Sequence, residues 1–244
     1  MKSSFRLLLG LLTLASCRHT ATDTPTPAED PDWLKLEIPG GREANAIAGD
    51  LDGTLQVTTY KDAYISTDRG LTWQKTMDFY GPVSGLVARH DTLVALNARG
   101  GDIQQPYAAV GNHFSTDQGR TWQHTSSLTD PQRTLFNLQQ PIGFVQTAAG
   151  LSYQIRFNYT PAPGVGSYYV EPSDLLRLEA GATSTLRLPA KKLLRNLHLD
   201  GQNRLYVGVA PCATKQDVRD CPECQPENGL QSPAVVYVSR KPLP

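Results

Sequence analysis

Ile65-Ser66-Thr67-Asp68-Arg69-Gly70-Leu71-Thr72-Trp73-Gln74 returns as Phe114-Ser115-Thr116-Asp117-Gln118-Gly119-Arg120-Thr121-Trp122-Gln123, 49 residues further along the chain. Both copies read Ser-x-Asp-x-Gly-x-Thr-Trp. A repeat at fixed spacing marks an array of similar units, so it outweighs any local feature. Each residue type has a structural use. A carboxylate accepts hydrogen bonds from backbone N–H groups two residues on and closes a tight turn. Glycine takes the positive φ that other residues resist. Tryptophan packs a large ring in the core beside the turn. Asp68 and Asp117 therefore read as turn-makers rather than catalytic acids. One carboxylate per turn is too few ligands for calcium.

Aligned on this repeat, the chain resolves into short alternating segments broken by turn residues, the pattern of an all-β protein. The first unit has strands at 46–49, 54–60, 63–66 and 72–76. The second has them at 85–89, 92–98, 112–115 and 121–125, the third at 143–147, 152–158, 175–179 and 184–188. The fourth has only three, at 196–199, 204–209 and 234–239. Turn signals separate first and second strands: Asp52-Gly53, His90-Asp91, Ala149-Gly150 and Asp200-Gly201. Trp33-Leu34-Lys35-Leu36-Glu37-Ile38 alternates cleanly and begins with one of the three tryptophans of the chain. The other two, Trp73 and Trp122, stand at the starts of outer strands. Pairing 33–38 with 234–239 supplies the missing strand and removes exposed sheet edges. The expected fold is all-β, a small propeller of four blades of four antiparallel strands closed by the N-terminal strand. A partial propeller completed by dimerisation is the alternative.

The repeated motif resembles the Asp-box, or BNR repeat, of sialidases and related β-propellers. The resemblance covers mainly residues 60–76 and 110–125, which are scaffold, and it implies architecture rather than activity. Sialidases carry an arginine triad, a tyrosine nucleophile with a glutamate partner, and an aspartate acid/base. Their Arg-Ile-Pro segment is missing here, and six blades need a longer chain. Tyr153, Arg156, Glu171 and Asp174 offer residue types for a reduced site, with nothing beyond residue type behind it.

The N-terminus reads as an export signal. Two positive charges precede the apolar run 7–15, which as a helix rises about 14 Å, under half of a bilayer core. That length and basic flank fit a signal peptide over residues 1–16. Leu14-Ala15-Ser16-Cys17 resembles the lipobox of bacterial lipoproteins, which implies cleavage before Cys17 and lipidation of it; an ordinary secretory signal is the alternative. Residues 17–32 are then the lipidated cysteine and a Thr/Pro-rich tether with too little apolar surface to fold. Residues 33–244 form the propeller. The implied location is the bacterial cell envelope, lipid-anchored outside the cytoplasm by several acyl chains, because one chain holds only marginally. Lys plus Arg and Asp plus Glu each number 23. With no net charge and no basic run, nucleic-acid binding is not expected.

In a four-stranded blade, the turns joining strands one to two and three to four share one face. The joins between strands two and three lie on the other. Those joins read as long loops at 99–111, 159–173 and 210–233, and loops of such length are usually functional. They bring together a candidate ligand face of Arg99, Asp102, Tyr107, Arg156, Tyr159, Tyr168 and Tyr169. The tyrosines suit stacking on sugar rings or packing on a protein; the charged groups suit hydrogen bonding. Arg89 and Arg195 are expected near the axis, and the opposite face reads as plain scaffold. The histidines lack metal-ligand spacing, and no cofactor motif appears.

Cys212, Cys221 and Cys224 crowd the last loop. Outside the cytosol, Cys212 is expected to pair with Cys221 or Cys224. The Cys221-Pro-Glu-Cys224 spacing lacks the βαβ setting of redox pairs, and zinc lacks an evident fourth ligand. The expected function is an envelope-anchored, non-catalytic binding or scaffold propeller whose ligand is a glycan or an envelope protein. The alternatives are a divergent sialidase-like glycoside-processing enzyme and an assembly factor for a protein partner. Oligomeric state stays open.

Overall fold

The computed structural model describes residues 30–41, 43–164, 168–210 and 233–243. The signal peptide, Cys17, most of the tether, and Cys212, Cys221 and Cys224 lie outside them. No helix among the described residues is long and apolar enough to cross a membrane.

The described chain forms four antiparallel sheets arranged as propeller blades. The first strand, β1 (Trp33–Ile38), belongs to the last blade. Blade 1 is β2 (Ala46–Gly49), β3 (Leu55–Thr58), β4 (Asp62–Ser66) and β5 (Gln74–Asp78). Blade 2 has β6 (Gly85–Arg89), β7 (Thr92–Gly101) and β8 (Pro106–Ser115), with β9 (Gln123–His124) and β10 (Gln139–Pro141) both paired to β8. Blade 3 is β11 (Phe144–Gln146), β12 (Ser152–Pro161), β13 (Tyr168–Glu179) and β14 (Ala182–Leu186). Blade 4 is β15 (Leu193–Leu199), β16 (Leu205–Ala210), β17 (Ala234–Ser239) and finally β1.

The N-terminal closure takes the expected register. β1 runs antiparallel to β17 from Trp33 opposite Ser239 to Ile38 opposite Ala234. Trp33, Leu36 and Ile38 are buried, while Lys35 and Glu37 form an exposed ion pair.

Two expectations are corrected. The outer strand at 121–125 is only β9, two residues long. The chain then leaves the blade through two 3-10 turns and one helical turn, α1 (Asp130–Arg133), and resumes the outer edge as β10. Thr129 starts α1 with a capping box to Gln132, and Pro131 suits its first turn. The loops at 99–111 and 159–173 are mostly strand. Pairing continues through Arg99 with Ala108 and Gly100 with Tyr107, and through Tyr159 with Val170 and Thr160 with Tyr169. Gly100 is needed in the strand: a Cβ there would stand 2.6 Å from the Tyr107 ring.

Each inner strand lies nearest the axis, and one side chain ties all four there. Asn196 of β15 donates from Nδ2 to the carbonyls of Asn45 and Ser84, which precede β2 and β6. Its Oδ1 accepts from the N–H of Gly143, just before β11. Buried backbone groups that would otherwise face one another unpaired are thereby satisfied.

The seams between blades are filled unequally. Trp73 packs in the cluster shared by blades 4 and 1, Trp122 in that of blades 1 and 2, and Trp33 in that of blades 3 and 4. The seam between blades 2 and 3 has no tryptophan. The join of β13 to β14 is the tight turn Ala180-Gly181, both at positive φ, in place of the repeated motif. The cluster beside this seam holds Leu96, Phe114 and Ile142, with Leu128, Phe136 and Leu138 of the blade 2 insertion against it.

Candidate ligand-binding face

The two repeats form near-identical turns. Ser66 Oγ donates to Asp68 Oδ1 (2.8 Å) and accepts from the N–H of Gly70 (2.9 Å). Asp68 also accepts from the N–H and hydroxyl of Thr72. In the second copy Ser115 Oγ bonds Asp117 at 2.7 Å, and Thr121 gives the same pair of bonds. The accepted N–H is thus four residues on from the aspartate, not two. Arg69-Gly70 and Gln118-Gly119 both take consecutive positive φ values. Hydrogen bonds from the threonine, then from the serine, hold both carboxyls down at about 2. Groups held anionic this firmly are unsuited to donating a proton near neutrality.

These turns lie on the same face as the Asp50–Thr54 and Asp200–Arg204 turns. There an ion cluster around the buried Arg204 and Asp200 latches blade 4 to blade 1. Arg204 contacts Asp200 (2.7 Å), Asp50 (2.7 Å) and Asp52 (2.8 Å). Tyr206 donates to Asp200 and accepts from the N–H of Leu51. Burial works to raise the Asp200 carboxyl, but bonds from Arg204 and Tyr206 hold it below the usual range. This face also has a cleft of about 530 Å³ between blades 1 and 2, beside Asp50, His90 and Gln118.

The opposite face carries the ends of the two long hairpins, β7–β8 and β12–β13. At the axis lies a shallow mouth of about 250 Å³, bordered by Glu43, Tyr60, Asn97, Arg99 and Arg195. Glu43 and Arg195 pair at 2.7 Å. Arg195 Nε and Asn97 Oδ1 are buried without a hydrogen-bond partner among the described residues. Burial pushes the Tyr159 phenol up, and Arg99 and Arg195 stand near enough to oppose that. Ile142 joins this mouth to a second cleft, of about 520 Å³, between blades 2 and 3. Tyr107 and Phe144 line it with Gln104, Gln105, Gln139 and Gln154. Gln104 reaches across to the carbonyl of Phe157 on β12, so the β7–β8 tip is held against blade 3.

A family model for the BNR/Asp-box repeat matches residues 64–75 and 113–124. The chain is a four-bladed β-propeller bearing Asp-box repeats. Comparison with curated proteins gives no match. Among solved structures, a structure of YCF48 bound to D1 peptide aligns at 11% identity and TM-score 0.28, over 74% of this chain and 66% of that one. The WD40 β-propeller domain of Doa1 aligns at 7% identity and TM-score 0.32, over 84% and 96%. An ancestral GH74 enzyme aligns at 16% identity and TM-score 0.23, over 73% and 23%. The propeller therefore spans just under two thirds of the first of these and under a quarter of the last.

The Asp-box propeller brings only some of the expected ligand residues together. Arg99 borders the axial mouth, Tyr159 lies within electrostatic reach of Arg99 and Arg195 there, and Tyr107 lines the adjoining cleft. Tyr168 meets Tyr159 edge-on at 6.5 Å and is exposed, as is Tyr169 beside it. Asp102 accepts from the N–H groups of Gln104 and Gln105 and shapes the hairpin tip. Arg156 pairs with Asp174 at 2.7 Å on the strand surface. Tyr153 is fully buried in the core, so the imagined reduced site of Tyr153, Arg156, Glu171 and Asp174 is not assembled. Arg195 borders the axial mouth as expected, but Arg89 turns away to the carbonyl of Leu135. Sequence reasoning missed Glu43, Phe144 and the glutamines. Their signal was weak, because each stands in a short segment whose facing direction depends on ring assembly.

Proposed function

We propose that this propeller is a recognition or scaffold module that binds its ligand on the long-hairpin face and presents it at the cell envelope from a lipid anchor at Cys17. The carrying observation is the division of labour between the faces. Both described long hairpins extend to one face, around the axial mouth and the cleft beside it. The chain enters on the other: Asp30 accepts from the N–H groups of Asp32 and Trp33, and Arg240 donates to the Asp30 carbonyl. A tether starting there leaves the ligand face free. A binding role is favoured over hydrolysis because, among the described residues, Glu43 is the one carboxylate bordering the mouth, it is committed to Arg195, and the adjoining cleft is lined by none. A glycosidase needs two carboxyl groups about 5–9 Å apart across the scissile bond.

The test is site-specific photocrosslinking in the native envelope. A crosslinker at Tyr168 or Ile103 is expected to capture one defined ligand, whereas one at Leu71, on the Asp-box face, is not. Capture from Leu71 alone would overturn the reading.

A further inference from the structure

We infer that the cleft between blades 2 and 3 is a binding site for a neutral saccharide, a short run of uncharged sugar rings. This deepens the long-hairpin-face reading and rests on it. The seam is distinctive to begin with. The other three seams each hold a tryptophan, and this one does not; Ala180-Gly181 replaces the Asp-box turn in blade 3. On its hairpin side, away from the Asp-box turns, lies a cleft of about 520 Å³. That lies within the ~300–1,000 Å³ range of small-ligand sites.

The lining selects the ligand class. None of the described residues that line the cleft carries a charge; the polar ones are four glutamines and Tyr107. A charged ligand entering here would lose hydration with no opposite charge to replace it. Glutamine offers two donors and an acceptor, which matches hydroxyl groups that both give and take hydrogen bonds. Gln104 spends one donor on Phe157 and is thereby fixed in position. Phe144, on an inner strand where burial would be the rule, is 39% exposed. With Tyr107 it gives the cleft two aromatic rings, the amphipathic surface on which the C–H faces of a sugar ring can lie.

An extended peptide fits less well. Peptides that add to a sheet need free backbone donors and acceptors. Here Pro106 and Pro141 have no N–H, and the N–H groups of Ile142, Gly143 and Ile155 are spent on Pro106, Asn196 and Gly143. What remains for a ligand is side-chain amide and aromatic face. The cleft on the Asp-box face, similar in volume, has neither feature in this form: among the described residues it is bordered by Asp50, Asp91 and His90, and by no phenylalanine, tyrosine or tryptophan.

The experiment uses the full chain in detergent. The probes are neutral gluco- and N-acetylglucosamine oligosaccharides, uronic-acid oligomers of matched length, and an arrayed peptide library. Saturable binding of a neutral oligosaccharide is expected, with weaker or no binding of the uronates. Phe144→Ala should weaken it by about tenfold or more, in line with loss of a central aromatic contact, with an unchanged melting temperature. Tyr107→Ala should act in the same direction; because Tyr107 also covers Gly100, Gln154→Ala serves as the check free of that packing role. No neutral-saccharide binding, binding indifferent to all three substitutions, or a preference for peptides would each overturn the inference. Binding or crosslinking abolished by Arg99→Ala and Tyr159→Ala but not by the cleft variants would overturn it while leaving the long-hairpin face as the ligand face. Capture through Leu71 alone would overturn both.

Discussion

At the scale of single residues, Asn196 and the two Asp-box aspartates do different work. Asn196 satisfies one donor and two acceptors from three other blades. In Asn196→Leu those three backbone groups lose their partner at a buried point. At about 1–3 kcal/mol per unpaired group, partly relieved by relaxation, the loss should be roughly 3–5 kcal/mol in urea unfolding. A loss below about 1 kcal/mol would mean the blades hold the axis without it. The aspartates predict a pH dependence. The carboxyls of Asp68 and Asp117 are held at about 2 in the fold against an ordinary 3.8. A depressed folded value means their contribution is intact above 3.8 and drains away as the pH falls towards 2. The double variant Asp68→Asn, Asp117→Asn should melt below the parent at pH 7, and the gap should narrow between pH 4 and 2. Asp78, Asp174 and Asp200 are also lowered, so the parent curve falls there for several reasons and the gap is the readout. These aspartates were legible in the sequence because their bonds close within ten residues. Asn196 was not, since its partners lie at 45, 84 and 143 and no local pattern joins them.

At the scale of elements, closure rests on β1. Its six residues pair with β17, and its buried Trp33 donates to the carbonyl of Arg187 in blade 3. The closing turn is assembled from both ends of the described chain. Ser239 occupies the place of Ser66 and Ser115, while Asp30 and Trp33 stand in for the aspartate and tryptophan of an Asp-box. Deleting residues 27–38 removes the strand, the aspartate and the tryptophan together. The edge of β17 would be exposed and the seam between blades 3 and 4 emptied, so loss of the single sharp thermal transition is expected. A variant that kept that transition would sink closure by the N-terminal strand. This element was legible because alternation and a leading tryptophan agree at 33–38. The hairpins were not. Gly100, Gly101, Pro161 and Pro163 punctuate the sequence like a loop, and only cross-strand partners reveal the strands continuing on either side. The inter-blade cleft was legible only through Tyr107. Phe144 reads as an ordinary inner-strand apolar residue until the cleft it lines is known.

At the scale of the whole molecule, the question is whether four similar blades unfold separately or as one. In an open array, each repeat touches only its neighbours and can fray from an end. A closed ring has no end. Here blade 4 is sewn to blade 1 by the Arg204 latch and by the apolar cluster that joins β1 and β17 to β2, β3 and β4. Breaking any one seam strands buried charge or apolar surface on both sides, so partial opening gains little entropy for its cost. The tryptophans make this measurable. Trp33, Trp73 and Trp122 sit at three of the four seams, so their fluorescence reports blade contacts, whereas far-ultraviolet circular dichroism reports strand content. Coincident midpoints in urea are expected, as for a two-state domain. Arg204→Met should separate them, since it leaves the buried Asp200 carboxylate without its cation, with only Tyr206 and backbone donors, and loosens one seam directly. If fluorescence already changed at lower urea than dichroism in the parent protein, the blades would be independent units held side by side, and the axial tie and the latch would be ornaments of the ring rather than the source of its cooperativity.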